Sequence, residues 1–406
     1  MVRLRNLLIR AGTVFTAAAE PVVRDAWLRV EEDRIAEVSP SEPRARGGAT
    51  RIDAPCATLL PGLIDCHVHF ALTGGADWLA DVRTSYALAC WRAAAFARAT
   101  LRAGFTTVRT LGGRDGMDTA LRDAQAAGVV EAPRVVAANL AICMTGGHGA
   151  WIGREADGPD EVRKAVREQL KAGADCIKLI ATGGVMTPGV EVGAQQLTDD
   201  ELRAGVEEAH RAGRKVASHA HAATGIRAAV LAGVDSIEHG SFLADDTIGL
   251  MKERGTFLSM TLSSAAGIAD APPNTVPDWA RAKAAETGGA MVDSFRRAHH
   301  AGVRLVLGTD AGTPYNVHGA NARELALMVK YGLDPLEGLR SASLNGAELL
   351  GLSDQVGSLE PGKQADLVLC EGDVLADVTQ LCNPENLRLV VQSGNIVHQR
   401  APVQEV

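Results

Sequence analysis

The sequence predicts an α/β chain: a (β/α)8 TIM-type barrel carrying a small β-sandwich module built from both chain ends. Three observations predict it. Between residues 59 and 355, eight short apolar runs alternate with longer amphipathic stretches. Four of those stretches stop at an Ala-Gly pair just before the next run, the expected helix stop. The few polar residues inside the apolar runs fall at or near their carboxyl ends, where barrels build active sites.

Length suits one large barrel plus a smaller module, at 406 residues. Hydrophobic residues make up 46% and charged residues 22%, an ordinary globular balance. A formal net charge of -8 argues against nucleic acid as partner, and aromatics at 4% offer no stacking surface for single strands. Cysteines stand at 56, 66, 90, 143, 176, 370 and 382, with no Cys-x-x-Cys, which reads as mostly buried, reduced thiols of a cytoplasmic protein. The first ten residues alternate and are broken by charge, unlike a signal peptide, and no run is long enough to span a membrane.

Taken in order, residues 1–58 form the first half of the β module, with strand signals at Leu7-Leu8-Ile9, Ala26 to Val30 and Arg34 to Val38 and a polar loop from Pro43 to Gly48. Residues 59–355 form the barrel. Its strands are Leu63 to His67, Thr106 to Leu111, Arg134 to Ala138, Cys176 to Ala181, Lys215 to His219, Ser236 to His239, Thr256 to Met260 and Arg304 to Thr309. Its helices include Ser85 to Ala103, Asp160 to Ala172, Thr198 to Ala212, Thr224 to Ala232 and Asp278 to His300, and a last one runs from Asp334-Pro335 to Leu350. Residues 356–406 return as strands at Ala365 to Leu369 and Leu389 to Gly394.

The chemistry centres on Leu60 to His69, an apolar stretch ending His67-Val68-His69. Alternate side chains of a strand point the same way, so both imidazoles face one side and can share a metal ion. Lys178 lies between Ile177 and Leu179 in a core strand, where a charged amine is costly. It is either an ion-paired or snorkelling lysine, or a neutral amine that captures carbon dioxide as a carbamate able to bridge two metal ions. His219 ends the fifth strand, His239 the sixth and Asp310 the eighth. Asp310 can bind metal and accept a proton from a metal-bound water.

In this set the chain resembles the amidohydrolase superfamily in its binuclear, carboxylated-lysine form. More narrowly it resembles the imidazolonepropionase-related group with metal-dependent Xaa-Pro and Xaa-Arg/Lys dipeptidases. The matches include Pro61 to Asp65, Thr145 to Gly149, Ala181 to Val185 and Gly357 to Asp366. The resemblance implies that His67, His69 and Asp310 hold a buried metal, that His219 and His239 hold an outer one, and that carboxylated Lys178 bridges both. Two divalent ions, zinc in the first instance, would share a hydroxide that attacks the scissile carbonyl. Asp310 would pass the proton to the leaving amine. His148, in a Gly-rich loop, is expected to contact substrate, and His221, where some relatives have tyrosine, to polarise the carbonyl. Thr110 departs from the Arg-Asp pair common in the group.

The implied activity is hydrolysis of the amide of a dipeptide, N-acyl amino acid or similar carboxamide. The rivals are cyclic amide, carbamate or ester hydrolysis and heterocycle deamination. A substrate carboxylate would need a cation at the mouth, and Arg109 is either that cation or half of a structural ion pair. Residues 183–189 read as a lid or substrate loop, since no lysine or helix start follows to make a phosphate cradle. The remaining histidines read as structural, with His318 alone placed to reach substrate. The expected partner is a small molecule, with no nucleic acid or membrane, and by analogy with relatives a second copy of the chain.

Overall fold

A computed structural model describes residues 6–44, 48–400 and 404–405. The expectations for residues 1–5 and for the middle of the loop after Pro43 lie outside the described residues.

The strands of the two chain ends meet in one eight-stranded sheet. Its order is Asn395–Gln399, Leu387–Gln392, Leu367–Glu371, Thr50–Pro61, Asn6–Phe15, Val22–Glu31 and Arg34–Ser39, with Gln404–Glu405 also pairing against Thr50–Pro61. The pair Asn6–Phe15 and Thr50–Pro61 is parallel and the other pairs are antiparallel. This sheet has its own apolar core, including Leu7, Ile9, Leu28, Val30, Leu59, Leu367 and Leu389. The strand Thr50–Pro61 carries the chain straight from this core into the barrel.

The eight barrel strands are Leu63–Val68, Phe105–Thr110, Arg134–Ala137, Cys176–Ile180, Lys215–Ala220, Ser236–His239, Phe257–Ser259 and Leu305–Val306. All pair in parallel, as two ladders joined by single hydrogen bonds. At one seam Asp175 N–H donates to Ala137 O at 2.7 Å. At the other Cys66 N–H donates to Leu307 O at 2.9 Å and His69 N–H to Ala311 O at 2.8 Å, closing the first strand on the eighth. The core between barrel and helices gathers Leu63, Phe105, Ile177, Leu179, Val216, Ile237, Leu258 and Leu305.

The helices start and stop where their residues require. Ser85 caps Tyr86–Arg102, and Thr198 caps Asp199–Arg211 in a reciprocal capping box with Glu201. Each predicted Ala-Gly stop places its glycine in the left-handed region, at φ +94° for Gly104, +88° for Gly173, +98° for Gly233 and +82° for Gly302.

One expectation needs correction. The final helix is two helices, Pro335–Ser341 and Leu344–Leu350. The break releases two carbonyls to the barrel floor: Ala342 O accepts from Ile64 N–H at 2.8 Å and Ser341 O from Leu307 N–H at 3.1 Å. The cysteines are all unpaired and most are buried, as expected: Cys66, Cys143, Cys176 and Cys370 are buried, while Cys56 and Cys382 are exposed. No helix among the described residues is long and apolar enough to cross a membrane.

Candidate metal centre

The carboxyl ends of four strands converge on one buried point. His67 Nε2 lies 3.2 Å from His69 Nε2, and Asp310 Oδ1 lies 3.5 Å from the first and 3.2 Å from the second. A second group, His219, His221 and His239, brings its ligand atoms within 4.8 Å of one another. The two groups adjoin: the His67 and His239 ring centroids are 5.3 Å apart.

The outer hydrogen bonds set which ring nitrogen is free. His67 Nδ1–H donates to Glu238 Oε2 at 3.0 Å and His69 Nδ1–H to Gly112 O at 2.9 Å, so both Nε2 lone pairs face inward. His219 is held the opposite way round, Nε2–H donating to Gly183 O at 3.0 Å, which frees Nδ1. His221 Nδ1 bonds Ser241 Oγ and His239 Nδ1 bonds Thr261 Oγ1, each at 2.8 Å. Burial pushes the imidazoles down, to about 4 for His67 and about 3 for His221, with His219 and His239 well below their usual value. They are neutral at pH 7 and their lone pairs are available. Burial alone would raise Asp310, but His67, His69 and Lys178 hold it at about 2, so it is ionised.

With each Nδ1 engaged on the outside, the Nε2 atoms of His67 and His69 turn inward to a carboxylate oxygen of Asp310. Such a set is repulsive until a cation occupies its centre. These residues therefore fit a divalent metal, and the three-histidine group beside them can hold another.

Lys178 sits at the midpoint of its strand, 2% exposed, and lines the same cavity. It makes no hydrogen bond among the described residues. Burial lowers its ammonium to about 8, so a useful fraction is the neutral amine near neutral pH.

Three residues of the site hold strained backbone. His239 at φ +74°, Thr261 at +53° and Asp310 at +60° are all non-glycine residues in the left-handed region. The turn at His239 ends the strand's alternation, which lets Glu238 and His239 serve the same centre.

Sequence reasoning missed Glu238. Its Oε1 accepts from Arg109 Nη2 at 2.8 Å while Oε2 holds His67. Arg109 is therefore half of a structural pair, also donating to Cys66 O at 2.7 Å, and is not a cation at the mouth. An acid next to His239 in a core strand, matched by the buried Arg109, was the available signal. His148 does join the site: its ring lies 4.4 Å from that of His219, and its Nδ1 bonds Thr187 Oγ1 at 2.7 Å. His221 belongs to the three-histidine group, more intimately than a distant carbonyl contact implied. His318 does not reach the cavity. It stacks on Phe96 at 4.8 Å, with Nε2–H donating to Leu72 O at 2.9 Å. Thr110 is buried beside Asp118, whose carboxyl burial pushes up to about 6 while Thr110 holds it lower.

The loop after Ala181 is shaped by contact. A Cβ on Gly184 would lie 2.4 Å from His148 Cε1, so glycine leaves the room in which His148 sits. Beyond Gly184, Val185 and Met186 line the cavity, and Lys283 Nζ ties the loop down by donating to Thr187 O at 2.8 Å and Val190 O at 2.5 Å. The cavity opens above the metal-ligating set, with about 910 Å³ of unfilled space that includes the solvent at its mouth.

Comparison with known proteins finds relatives over almost the whole chain. Residues 58–397 match the Amidohydrolase family. Ochratoxinase of Aspergillus niger is 30% identical over 436 residues, covering 96% of this chain and 86% of that protein. The crystal structure of a Xaa-Pro dipeptidase with bound methionine in the active site superposes with a TM-score of 0.90 at 34% identity, covering 96% of this chain and 99% of that one. A prolidase complexed with n-methylphosphonate-l-proline does so with a TM-score of 0.88 at 30% identity, over 97% and 100%.

Proposed function

The chain belongs to the amidohydrolase family, and from that premise we propose that it hydrolyses the C–N bond of a small carboxamide with two divalent metal ions. His67, His69 and Asp310 would hold one ion and His219 and His239 the other, with His221 beside them. Lys178, as its carbamate, would offer an oxygen to each. When bound, zinc ions in this set would supply a hydroxide at neutral pH and a Lewis acid for the scissile carbonyl.

The chain's own residues do the rest. Asp310 receives the proton of the attacking water and delivers it to the departing nitrogen, so amide and water become a carboxylic acid and an amine. His148 and His221, neutral and flanking His219, donate hydrogen bonds toward the oxygen where negative charge develops. Glu238 keeps His67 in the tautomer that leaves Nε2 free.

The observation that carries this reading is the meeting of His67 Nε2, His69 Nε2 and Asp310 Oδ1 within 3.5 Å of one another. Lys178 weighs against a one-metal deaminase or ring-opening enzyme, which has no use for a second bridging group. The test is amine release from a broad amide library, using zinc-loaded protein in bicarbonate beside chelated protein. Release that requires metal supports the reading. Silence on amides with turnover of esters or heterocycles would replace it.

A further inference from the structure

The walls of the cavity carry information beyond its floor. Away from the metal-ligating set, the lining includes Trp78, Trp151, Val185, Met186, Ile268 and Met291. Trp78 and Trp151 face each other with centroids 4.3 Å apart and belong, with Met186 and Ile268, to an apolar cluster over the barrel mouth. Apart from Lys178, no lysine or arginine lines the cavity among the described residues.

The cations nearest the mouth are already engaged. Lys283 caps Thr187 O and Val190 O, and Arg281 donates to Ala271 O at 3.2 Å and Pro272 O at 3.0 Å. Arg109 lies beneath the site in its pair with Glu238. Of the wall hydroxyls, Thr287 Oγ1–H donates to Lys283 O at 2.8 Å and Thr313 Oγ1–H to Asp310 O at 2.7 Å. A carboxylate brought beside the scissile bond would lose its hydration and meet indole, thioether and aliphatic carbon.

We infer that the substrate is an uncharged, apolar carboxamide, with a flat or branched hydrocarbon group against the Trp78–Trp151 wall and no free carboxylate beside the scissile bond. This rests on the C–N hydrolase reading above and narrows it away from dipeptides and N-acyl amino acids. Hydrolysis breaks the amide C–N bond, forms a C–O bond from water, and moves one proton to the amine.

A matched pair tests this. N-benzoyl-L-leucine and N-isopentylbenzamide share the scissile amide and the branched alkyl group and differ by one carboxylate. Binding to zinc-loaded protein is read by calorimetry, and turnover by amine release. The expected result is at least tenfold tighter binding, and tenfold higher kcat/KM where turnover occurs, for the uncharged twin. Equal or tighter binding of the acid overturns the inference, and so does failure of both to bind. Binding of the uncharged twin without cleavage of either upholds the pocket assignment and overturns the hydrolase reading instead. Met186→Arg places a cation on the wall and is expected to shift the preference at least tenfold toward the acid, with its circular dichroism and zinc content matched to wild type to show that it folds.

Discussion

Arg109 and Glu238 form an ion pair of 2.8 Å in which neither side chain is more than 1% exposed. The same carboxylate holds His67 Nδ1, so one buried acid serves both the barrel interior and the metal-ligating set. Arg109 and His67 together keep Glu238 well below the usual carboxylate range against the upward push of burial. Removing one partner strands the other charge. Arg109→Met is expected to cost about 3–5 kcal/mol in denaturant unfolding. Glu238→Gln keeps the shape but loses the charge that orients His67. It should weaken metal binding roughly 10–100-fold in a chelator competition. Unchanged affinity in that variant would remove Glu238 from the site.

Lys178 divides the two-metal reading from a one-metal one. Without an amine there can be no carbamate, so Lys178→Ala should retain fewer metal ions per chain than wild type and lose activity about a thousandfold or more. A short free carboxylate such as propionate fits the space vacated and supplies the same two oxygens. Partial recovery on adding it, read by metal content and amine release together, is the expected signature. Full activity of Lys178→Ala without additive would sink the two-metal mechanism.

Gly184 makes a steric prediction. A methyl group there meets three atoms of the His148 ring at 2.4–2.6 Å, closer than real Cβ contacts come. The ring must leave its place beside His219. Gly184→Ala should therefore lower kcat/KM by about 10–100-fold through loss of a positioned polar group, with metal content unchanged. Loss of metal in this variant would mean that the disturbance passes to His219 through Gly183 O.

What is legible in the sequence follows from local rules. The barrel strands can be read because parallel strands buried on both faces are short apolar runs, and the helix ends because left-handed stops demand glycine. His67 and His69 can be read because strands alternate. Glu238 cannot, because alternation puts it opposite His239, and only the positive φ of His239 brings both to one centre. The break at Ala342 is equally hidden. It answers to Ile64 N–H, a partner 278 positions earlier in the chain (342 − 64), and nothing in Ser341-Ala342-Ser343 itself ends a helix. The Trp78–Trp151 wall joins the first residue of the helix Trp78–Arg83 to a turn, two segments whose meeting no periodicity encodes.

Glu324 lies away from the metal ligands and offers a titration of the fold itself. Its carboxylate accepts Leu262 N–H at 2.8 Å and Ser263 N–H at 2.7 Å, opening the helix Leu262–Ala269. Burial nonetheless pushes the carboxyl up to about 7. A raised folded-state value means that the fold holds this proton more tightly than the unfolded chain, where glutamate titrates at about 4.3. The resulting stability is fully present below that value and is lost as pH rises through about 7. The buried histidines act in the opposite direction below pH 6.5, since their folded-state values are lowered, so wild type alone would blur the effect. Glu324→Gln does not titrate and cancels them in the difference. The stability of wild type relative to that variant should fall from about pH 4.5 to about pH 8, by up to roughly 3 kcal/mol. Paired urea unfolding of metal-free protein across that window measures it. A difference that stays flat would mean that Glu324 is ionised in the fold throughout, held by its two amide donors.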